Sequence, residues 1–239
     1  MRKYLKRQTL RLSKQDIQNL SCFFYNESNG LLATVFYNFP LSLKRHCVQT
    51  AVMAAQMALH VPDSAVPAGM THDEYENAVR YGSLYHDIGA YLVYNQRSLY
   101  PAAGERFLRE QIAEDALNPA VRRVILQTVQ FCGERYDGQG YPSKLAGAAI
   151  PLHAGICAIA DQIDSILSDR KGLFAFHIHE AKRIVGKKRD TAFSPDAADC
   201  FIAEYKNIVS LYKHWRKTPP FWDNRAVKPT DKSINRAIV

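Results

Sequence analysis

The sequence lacks the segments that would place it in or across a membrane. No apolar run approaches the roughly 20 residues that a membrane span needs. The basic N-terminus, MRKYLKRQTLRLSK, has neither the apolar stretch nor the small-residue cleavage site of a secretory signal. These absences predict a cytoplasmic protein without a membrane span.

Paired cysteines are also absent. The chain has 5 cysteines at wide spacing, and none belongs to a CxxC pair. This pattern argues against a disulfide framework and against a zinc ribbon. We expect free thiols in a reducing compartment.

Acidic residues are scarce at both ends of the chain, whose net charge is +8. Residues 1–14 carry six Lys/Arg and no acid, and residues 211–239 carry seven Lys/Arg and two Asp. The basic charge therefore lies in the terminal segments, which could attract an anionic partner. Specific nucleic-acid binding uses a basic face on a folded element, so we expect solvated tails and no such binding.

Strand signals and internal repeats are nearly absent, whereas signals for helix boundaries recur. Thr71 stands three positions before Glu74, a capping box that predicts a helix through Tyr85. Residues 43–60 predict one amphipathic helix, and the expected members of its apolar face are Val48, Val52, Ala55 and Leu59. The fold class expected is all-α.

Later boundaries follow the same logic. Asn118-Pro119 and Ser194-Pro195 each predict a helix start, and the second of these helices should reach about Tyr212. Gly186 is expected to close the helix before it. Residues 15–38 should hold two further helices.

The chain is expected to have three parts. Residues 1–39 would form a basic, helical extension, residues 40–214 the main helical bundle, and residues 215–239 a flexible basic tail. Within the bundle, residues 133–151 are too rich in glycine and proline for a regular element. Irregular segments of this length are usually functional or disordered, and we expect a structured loop.

The strongest chemical signal is His86-Asp87, which follows an apolar-periodic helix and precedes Ile88-Gly89. Both side chains can reach one cation if the helix ends there and the backbone turns, which Gly89 permits. Imidazole and carboxylate together suit a divalent ion such as Mn, Fe, Zn or Mg.

Two other polar residues stand in apolar helices. His46 lies in the middle of the amphipathic helix, next to Cys47 and Val48, where a solvated histidine is not expected. Asp161 lies in LHAGICAIADQIDSIL, where a buried carboxylate is costly without a cation or hydrogen bonds. Each alone would be an ordinary core histidine or a helix cap. Together with His86-Asp87, on three helices, they predict one metal site.

These residues resemble a known family. The order His46, His86-Asp87, Asp161 looks like the metal-binding set of the HD superfamily of metal-dependent phosphohydrolases. The resemblance to the HD-GYP subgroup covers about residues 40–205, and the motifs that carry it are YHDIG at 85–89, ERYDGQGYP at 134–142, IPLHAGICAIADQID at 150–164, SDR at 168–170 and TAFSPDAADCFI at 191–202.

The resemblance implies an all-α bundle with a buried metal centre. It implies hydrolysis of cyclic di-GMP, a bacterial second messenger, by water that a metal activates. The implied ligands are His46, His86, Asp87 and Asp161. Asp87 would also orient the attacking water and is the implied catalytic residue.

The sequence departs from the subgroup's pattern at several positions. Cys132 and Gly133 replace two adjacent histidines, Tyr100 replaces a further ligand histidine, and Ala90 replaces a lysine. Ser42 stands for an acidic ligand, and residues 171–173 lack the expected proline-tyrosine-basic run. The remaining set can hold one ion. Arg45 or Arg170 could compensate for Ala90.

Weaker candidates surround this set. Cys132 or Tyr100 could supply a metal ligand, although a small buried residue is the more ordinary interpretation of Cys132. Asp164, one turn from Asp161, would support that carboxylate or pair with Arg170.

Residues in and near the loop have two alternative interpretations. They could line the substrate mouth or a partner surface, whereas the loop's glycines more often hold a turn; these candidates are Glu134, Asp137, Tyr141 and Arg170.

Three functions remain open at this point. The first is a phosphodiesterase for cyclic di-GMP, and the second is a one-metal phosphohydrolase for another nucleotide phosphoester. The third is a catalytically degenerate relative that binds a nucleotide or a protein partner through residues 133–151. A homodimer is compatible with each.

Overall fold

The computed structural model describes residues 35–36, 38–93, 96–114, 116–167 and 174–217, without the side chains of 174–179 and 216–217. The regular elements of these residues are helices, which confirms the all-α prediction. None of them combines the length and apolar character that a bilayer crossing requires. In chain order the α-helices are α1 Leu41–Ala58, α2 His72–Leu84, α3 Gly89–Leu92, α4 Tyr100–Gln111, α5 Pro119–Phe131, α6 Leu152–Leu167, α7 Phe174–Lys188 and α8 Pro195–Lys217.

Three single turns of 3-10 helix connect these elements, at Asp63–Ala65, Arg97–Leu99 and Gly147–Ala149. The two helices predicted within 15–38 lie mostly outside the described residues. The expected extension at 1–39 and tail at 215–239 fall there too, apart from a few residues next to the bundle.

Helix α1 forms the centre of the bundle and packs against α2, α6 and α8. Between Cys47 and Ala58 only Gln56 escapes full burial. The prediction of a single apolar face was therefore wrong, because neighbours cover this helix on all sides. Leu59, expected on that face, follows the helix end and is 44% exposed.

Helix α2 begins with the predicted capping box. The Glu74 backbone N–H donates to Thr71 Oγ1 at 3.2 Å, and the Thr71 N–H donates to Glu74 Oε2 at 2.7 Å. Further along, a Cβ at Gly82 would lie 2.5 Å from Thr128 Cβ. Only glycine therefore allows α2 and α5 to approach this closely.

The ends of α7 and α8 differ from the expectation. Helix α7 continues through Gly186 to Lys188, so the predicted stop at Gly186 was wrong. The residue with a left-handed backbone just after α7 is Asp190, with φ 63°, a conformation that commonly closes helices. Helix α8 starts at Pro195 as predicted and runs to Lys217, five residues past Tyr212.

Residues 133–151 form a loop of defined shape, as predicted. The backbone N–H groups of Tyr136 and Asp137 donate to the carbonyls of Ala192 and Thr191, which attach the loop to the α7–α8 connection. Inside the loop, Tyr141 N–H donates to the Gly133 carbonyl at 3.1 Å. The loop therefore lies at a fixed place beside the end of α5.

Candidate metal centre

His86 and Asp87 lie in the turn that follows α2. The helix ends at Leu84, and Tyr85 leaves the helical conformation with φ −105° and ψ 9°. Because the helix has ended, two consecutive side chains can face the same space between α1 and α6.

The role expected for Gly89 needs correction. Its φ is not in the left-handed region, and a Cβ at this position would lie 2.0 Å from the Tyr100 carbonyl oxygen. Glycine is thus required for close packing of α3 against the start of α4, not for a special turn. The packing fixes the chain immediately after Asp87.

The four predicted ligand residues converge. His46 Nε2 lies 3.1 Å from Asp161 Oδ1 and 3.9 Å from Asp87 Oδ2. His86 Nε2 lies 3.7 Å from Asp87 Oδ2 and 3.9 Å from Asp161 Oδ1. Ligand atoms bind transition metals at about 2.0–2.2 Å, so two atoms on opposite sides of an ion are about 4 Å apart. The separations are therefore those of atoms that can share one ion.

Hydrogen bonds orient both imidazoles. His46 Nδ1 lies 2.7 Å from Asp164 Oδ2, and Asp164 also accepts a hydrogen bond from the Tyr212 hydroxyl. His86 Nδ1 lies 2.7 Å from the Ser83 carbonyl oxygen and donates to it. With each Nδ1 engaged, each Nε2 faces the cluster, which is how bonds behind a metal site direct its ligands.

The structure shows a neighbour of Asp164 that the sequence did not predict, His46. Arg170, one of the two expected neighbours, is outside the described residues. Tyr212 was missed at the sequence level, where it marked only the end of a helix. No local pattern links a tyrosine on α8 to a carboxylate 48 positions earlier.

The cluster attracts positive charge. Burial lowers the pKa of His46, but the hydrogen bonds with Asp161 and Asp164 outweigh burial and raise this pKa to about 10. Burial likewise opposes protonation of His86, whose pKa is nevertheless raised by Asp87. Burial raises the pKa of Asp161, but the bond with His46 and the charges of both histidines outweigh burial, so this pKa is lowered. A metal ion would compete with protons for the nitrogen and oxygen atoms of these side chains.

One buried atom supports a metal in particular. His86 is 2% exposed, and its Nε2 has no hydrogen-bond partner among the described residues. A buried polar atom without a partner is costly, and this one faces two carboxylates. A divalent cation would satisfy it, so the residues present fit a metal ion.

Of the two weaker ligand candidates, Cys132 does not join the cluster. Cys132 Sγ donates to the Val129 carbonyl at 3.3 Å. A bond with Cys157, together with burial, raises the pKa of the Cys132 thiol, which disfavours a thiolate ligand. Tyr100 starts α4, where its carbonyl packs against Gly89. The cysteines in the described ranges are free thiols, as expected.

Two loop candidates stabilise the loop itself. Glu134 is 4% exposed, and its carboxylate accepts the backbone N–H groups of Ser143 at 2.6 Å and Leu145 at 3.1 Å. Asp137 binds the Arg135 guanidinium and accepts the Gln139 N–H at 3.1 Å. Both side chains are engaged within the loop, which corresponds to the structural interpretation of these residues.

Tyr141 differs from them. Its ring is partly buried against Gly133, where a Cβ would lie 2.6 Å from a ring carbon. The charges of Asp87 and Asp161 reach its phenol and raise its pKa, after burial as the larger cause. Tyr141 therefore lies at the edge of the metal centre.

Comparisons with known proteins agree with this arrangement. The sequence model of the HD domain matches residues 43–166, the segment that contains the four ligand residues. A cyclic di-GMP phosphodiesterase of Vibrio cholerae is 35% identical over 83 residues, which cover 35% of this chain and 17% of that protein. The cyclic di-GMP phosphodiesterase response regulator RpfG of Xanthomonas campestris is 42% identical over 69 residues, which cover 29% and 18%.

A longer and weaker match extends through most of the bundle. The 3'3'-cGAMP-specific phosphodiesterase 2 of Vibrio cholerae is 21% identical over 221 residues, which cover 84% of this chain and 42% of that protein. Each of these matches spans less than half of the relative. HD domains depend on a metal, and the His/Asp cluster supplies a place for one. The chain belongs to the HD-domain family.

Proposed function

We propose that this protein is a metal-dependent phosphodiesterase that hydrolyses a cyclic dinucleotide at a single-ion centre. The observation that carries the proposal is the convergence of ligand atoms of His46, Asp87 and Asp161 on the buried His86 Nε2, which has no hydrogen-bond partner among the described residues. Proteins that match the chain are named as phosphodiesterases for cyclic di-GMP or 3'3'-cGAMP, which are both cyclic dinucleotides. The chain spans less than a fifth of the first two relatives, so their activity comes to it only as part of this proposal.

His46, His86, Asp87 and Asp161 would hold the ion. Two imidazoles and two carboxylates favour Mn, Fe or Zn over Mg, which prefers oxygen ligands and retains its water. A bound ion would lower the pKa of water and polarise a phosphate oxygen.

The chain's own groups would supply the remaining chemistry. Asp87 is 31% exposed on its side chain, in contrast to His86 at 2%. A carboxylate at the open side of the centre can accept a hydrogen bond from the attacking water, orient it toward phosphorus and receive its proton. Asp164 would keep His46 in the tautomer whose Nε2 faces the ion, because His46 Nδ1 donates to it.

The test combines metal analysis with hydrolysis assays. Wild-type protein should retain one transition metal ion per chain and hydrolyse cyclic di-GMP or 3'3'-cGAMP to a linear dinucleotide. Asp87→Asn should lower turnover about a thousandfold, since both water orientation and charge are lost. Asp63→Asn is the matched control, because the Asp63 side chain is 97% exposed and should leave turnover unchanged.

A second candidate is a nucleotide-binding relative without turnover. It is favoured by Cys132, which lies outside the cluster, and by Tyr100, because the subgroup that the sequence resembles has ligand histidines at these two places. Binding of cyclic di-GMP without hydrolysis, under every metal tested, would select this candidate. A protein that neither retains a metal nor binds a nucleotide would refute both candidates.

A further inference from the structure

Arg97 lies beside the metal centre on a short and well-anchored segment. It opens the 3-10 turn Arg97–Leu99, which leads directly into α4 at Tyr100. The Tyr100 carbonyl packs on Gly89, two residues after Asp87, so closely that a Cβ would lie 2.0 Å away. Arg97 thus stands three positions before a residue whose backbone contacts the segment next to Asp87.

The guanidinium of Arg97 is exposed and has no bonding partner among the described residues. Most arginines in the described ranges are engaged in ion pairs or hydrogen bonds, and those with such a bond or another contact are Arg45, Arg80, Arg106, Arg109, Arg122, Arg135, Arg183 and Arg189. Only Arg123 shares with Arg97 the lack of a hydrogen bond or ion pair within these ranges. An arginine without a partner at the edge of a site is available to a ligand.

The charge of Arg97 acts on two residues of the site. Burial raises the pKa of the Tyr141 phenol, and the positive charge of Arg97 opposes that rise. Arg97 also contributes to the lowered pKa of Asp161, after the opposing effect of burial and the stronger effects of His46 and His86. The charge of Arg97 therefore reaches both Asp161 and Tyr141, in agreement with the backbone contact that joins its segment to the residues after Asp87.

A phosphodiester needs more than one positive group. It carries a single negative charge shared by two non-bridging oxygens, and a single ion can face one of them. A guanidinium binds the second well, because its planar donors match phosphate geometry. The lysine position of the subgroup holds Ala90, which offers no charge. Of the two compensating residues considered from sequence, Arg45 already has an interaction partner, and Arg170 is outside the described residues.

We propose that Arg97 binds a non-bridging oxygen of the substrate's scissile phosphate, opposite the metal ion, and so positions the phosphodiester for attack. The inference rests on the proposed function and adds a residue that determines phosphate binding. Tyr141 would form the adjacent wall of the same mouth.

The experiment measures binding separately from turnover. Cyclic di-GMP is titrated calorimetrically into chelator-treated protein, in which no hydrolysis occurs, and steady-state kinetics are measured after reloading with Mn. The variants are Arg97→Ala, Arg97→Lys and the control Arg123→Ala, which removes an equally unpaired charge from α5. Metal content and melting temperature should be the same in all of them.

Arg97→Ala should weaken cyclic di-GMP binding about tenfold to a hundredfold, the usual effect of losing a hydrogen bond to a charged group. KM should rise by a similar factor, with a smaller fall in kcat. Arg97→Lys should recover part of the affinity, and Arg123→Ala should stay within about twofold of wild type.

The outcomes separate the two proposals. Binding that depends on Arg97 without any hydrolysis would refute the proposed activity and retain this inference. Hydrolysis with unchanged affinity in Arg97→Ala, or an equal loss in Arg123→Ala, would overturn the inference and leave the activity standing. If the wild-type protein does not bind cyclic di-GMP, the inference is overturned as well.

Discussion

His46 and His153 are two histidines inside the same bundle, and their environments have opposite effects. Burial lowers the pKa of His46, but Asp161 and Asp164 outweigh burial and raise it to about 10. Around His153, burial and the charge of Arg123 act together and lower the pKa to about 3. Burial alone therefore does not make a histidine a ligand; the neighbouring charges decide whether a cation or a neutral ring is favoured.

Both histidines have a neighbour in an adjacent helix, but only one belongs to a converging set. His153 packs edge-on against Tyr75, with ring centroids 6.1 Å apart, and its Nε2 has no partner among the described residues. His46 packs on His86 at 5.2 Å and shares two carboxylates with it. The comparison can be tested by changing one histidine at a time.

The largest effect on metal retention and hydrolysis is expected from substituting His46, with the same substitution at His153 as the comparison. His46→Gln should abolish retention of the metal and lower hydrolysis about a thousandfold, because a proposed ligand and its bond with Asp164 are both lost. His153→Gln should retain both the metal and the activity. Elemental analysis and initial rates provide the measurement, and equal losses in the two variants would contradict the distinction.

A smaller effect is expected from the groups behind His46. Asp164→Asn should lower metal affinity about tenfold to a hundredfold, since substitutions behind a ligand typically have this effect. Tyr212→Phe removes only one bond to Asp164 and should cost less. Competition with a fluorescent chelator measures both affinities, and a Tyr212→Phe loss larger than that of Asp164→Asn would be inconsistent with this order.

The smallest effect concerns the pH dependence of stability in metal-free protein. His153 has a folded pKa of about 3, below its ordinary 6.5, so the unfolded chain binds more protons between these values. The free energy of unfolding should therefore fall as the pH drops below 6.5, by at most about 1.4 kcal/mol per pH unit. For His46 the folded pKa is raised to about 10, so its contribution is fully present below pH 6.5 and is lost as the pH rises toward 10.

Urea denaturation of chelator-treated protein between pH 4 and 10 tests both signs. His153→Gln should flatten the acidic limb of the profile, and His46→Gln should flatten the alkaline limb. A profile in which each substitution changes the opposite limb would show that the two assignments are reversed.

The predicted metal ligands were accessible to sequence reasoning because each stands out from its local pattern. His46 and Asp161 are polar residues in apolar helices, and His86-Asp87 follows a helix with a clear capping box at its start. The all-α class and the starts of α2, α5 and α8 follow from caps and prolines, which act within one helical turn.

The remaining features depend on contacts between distant parts of the chain. The burial of α1 on nearly all sides between Cys47 and Ala58 requires three neighbours that its own periodicity cannot reveal. Glu134 resembled a substrate residue until its bonds to the loop backbone were visible. Gly186 resembled a helix end, yet it lies on an open surface where continuation of α7 meets no obstacle.

The bond from Tyr212 to Asp164 extends the metal centre beyond the segment by which the family is recognised. The HD domain match ends at residue 166, whereas Tyr212 lies on the last helix of the bundle. A shortened chain that ended at residue 166 would keep every proposed ligand and lose the hydroxyl that helps to hold His46 through Asp164. Evolution could accordingly adjust the affinity for the ion by substitutions on α8, without altering any residue of the signature motifs.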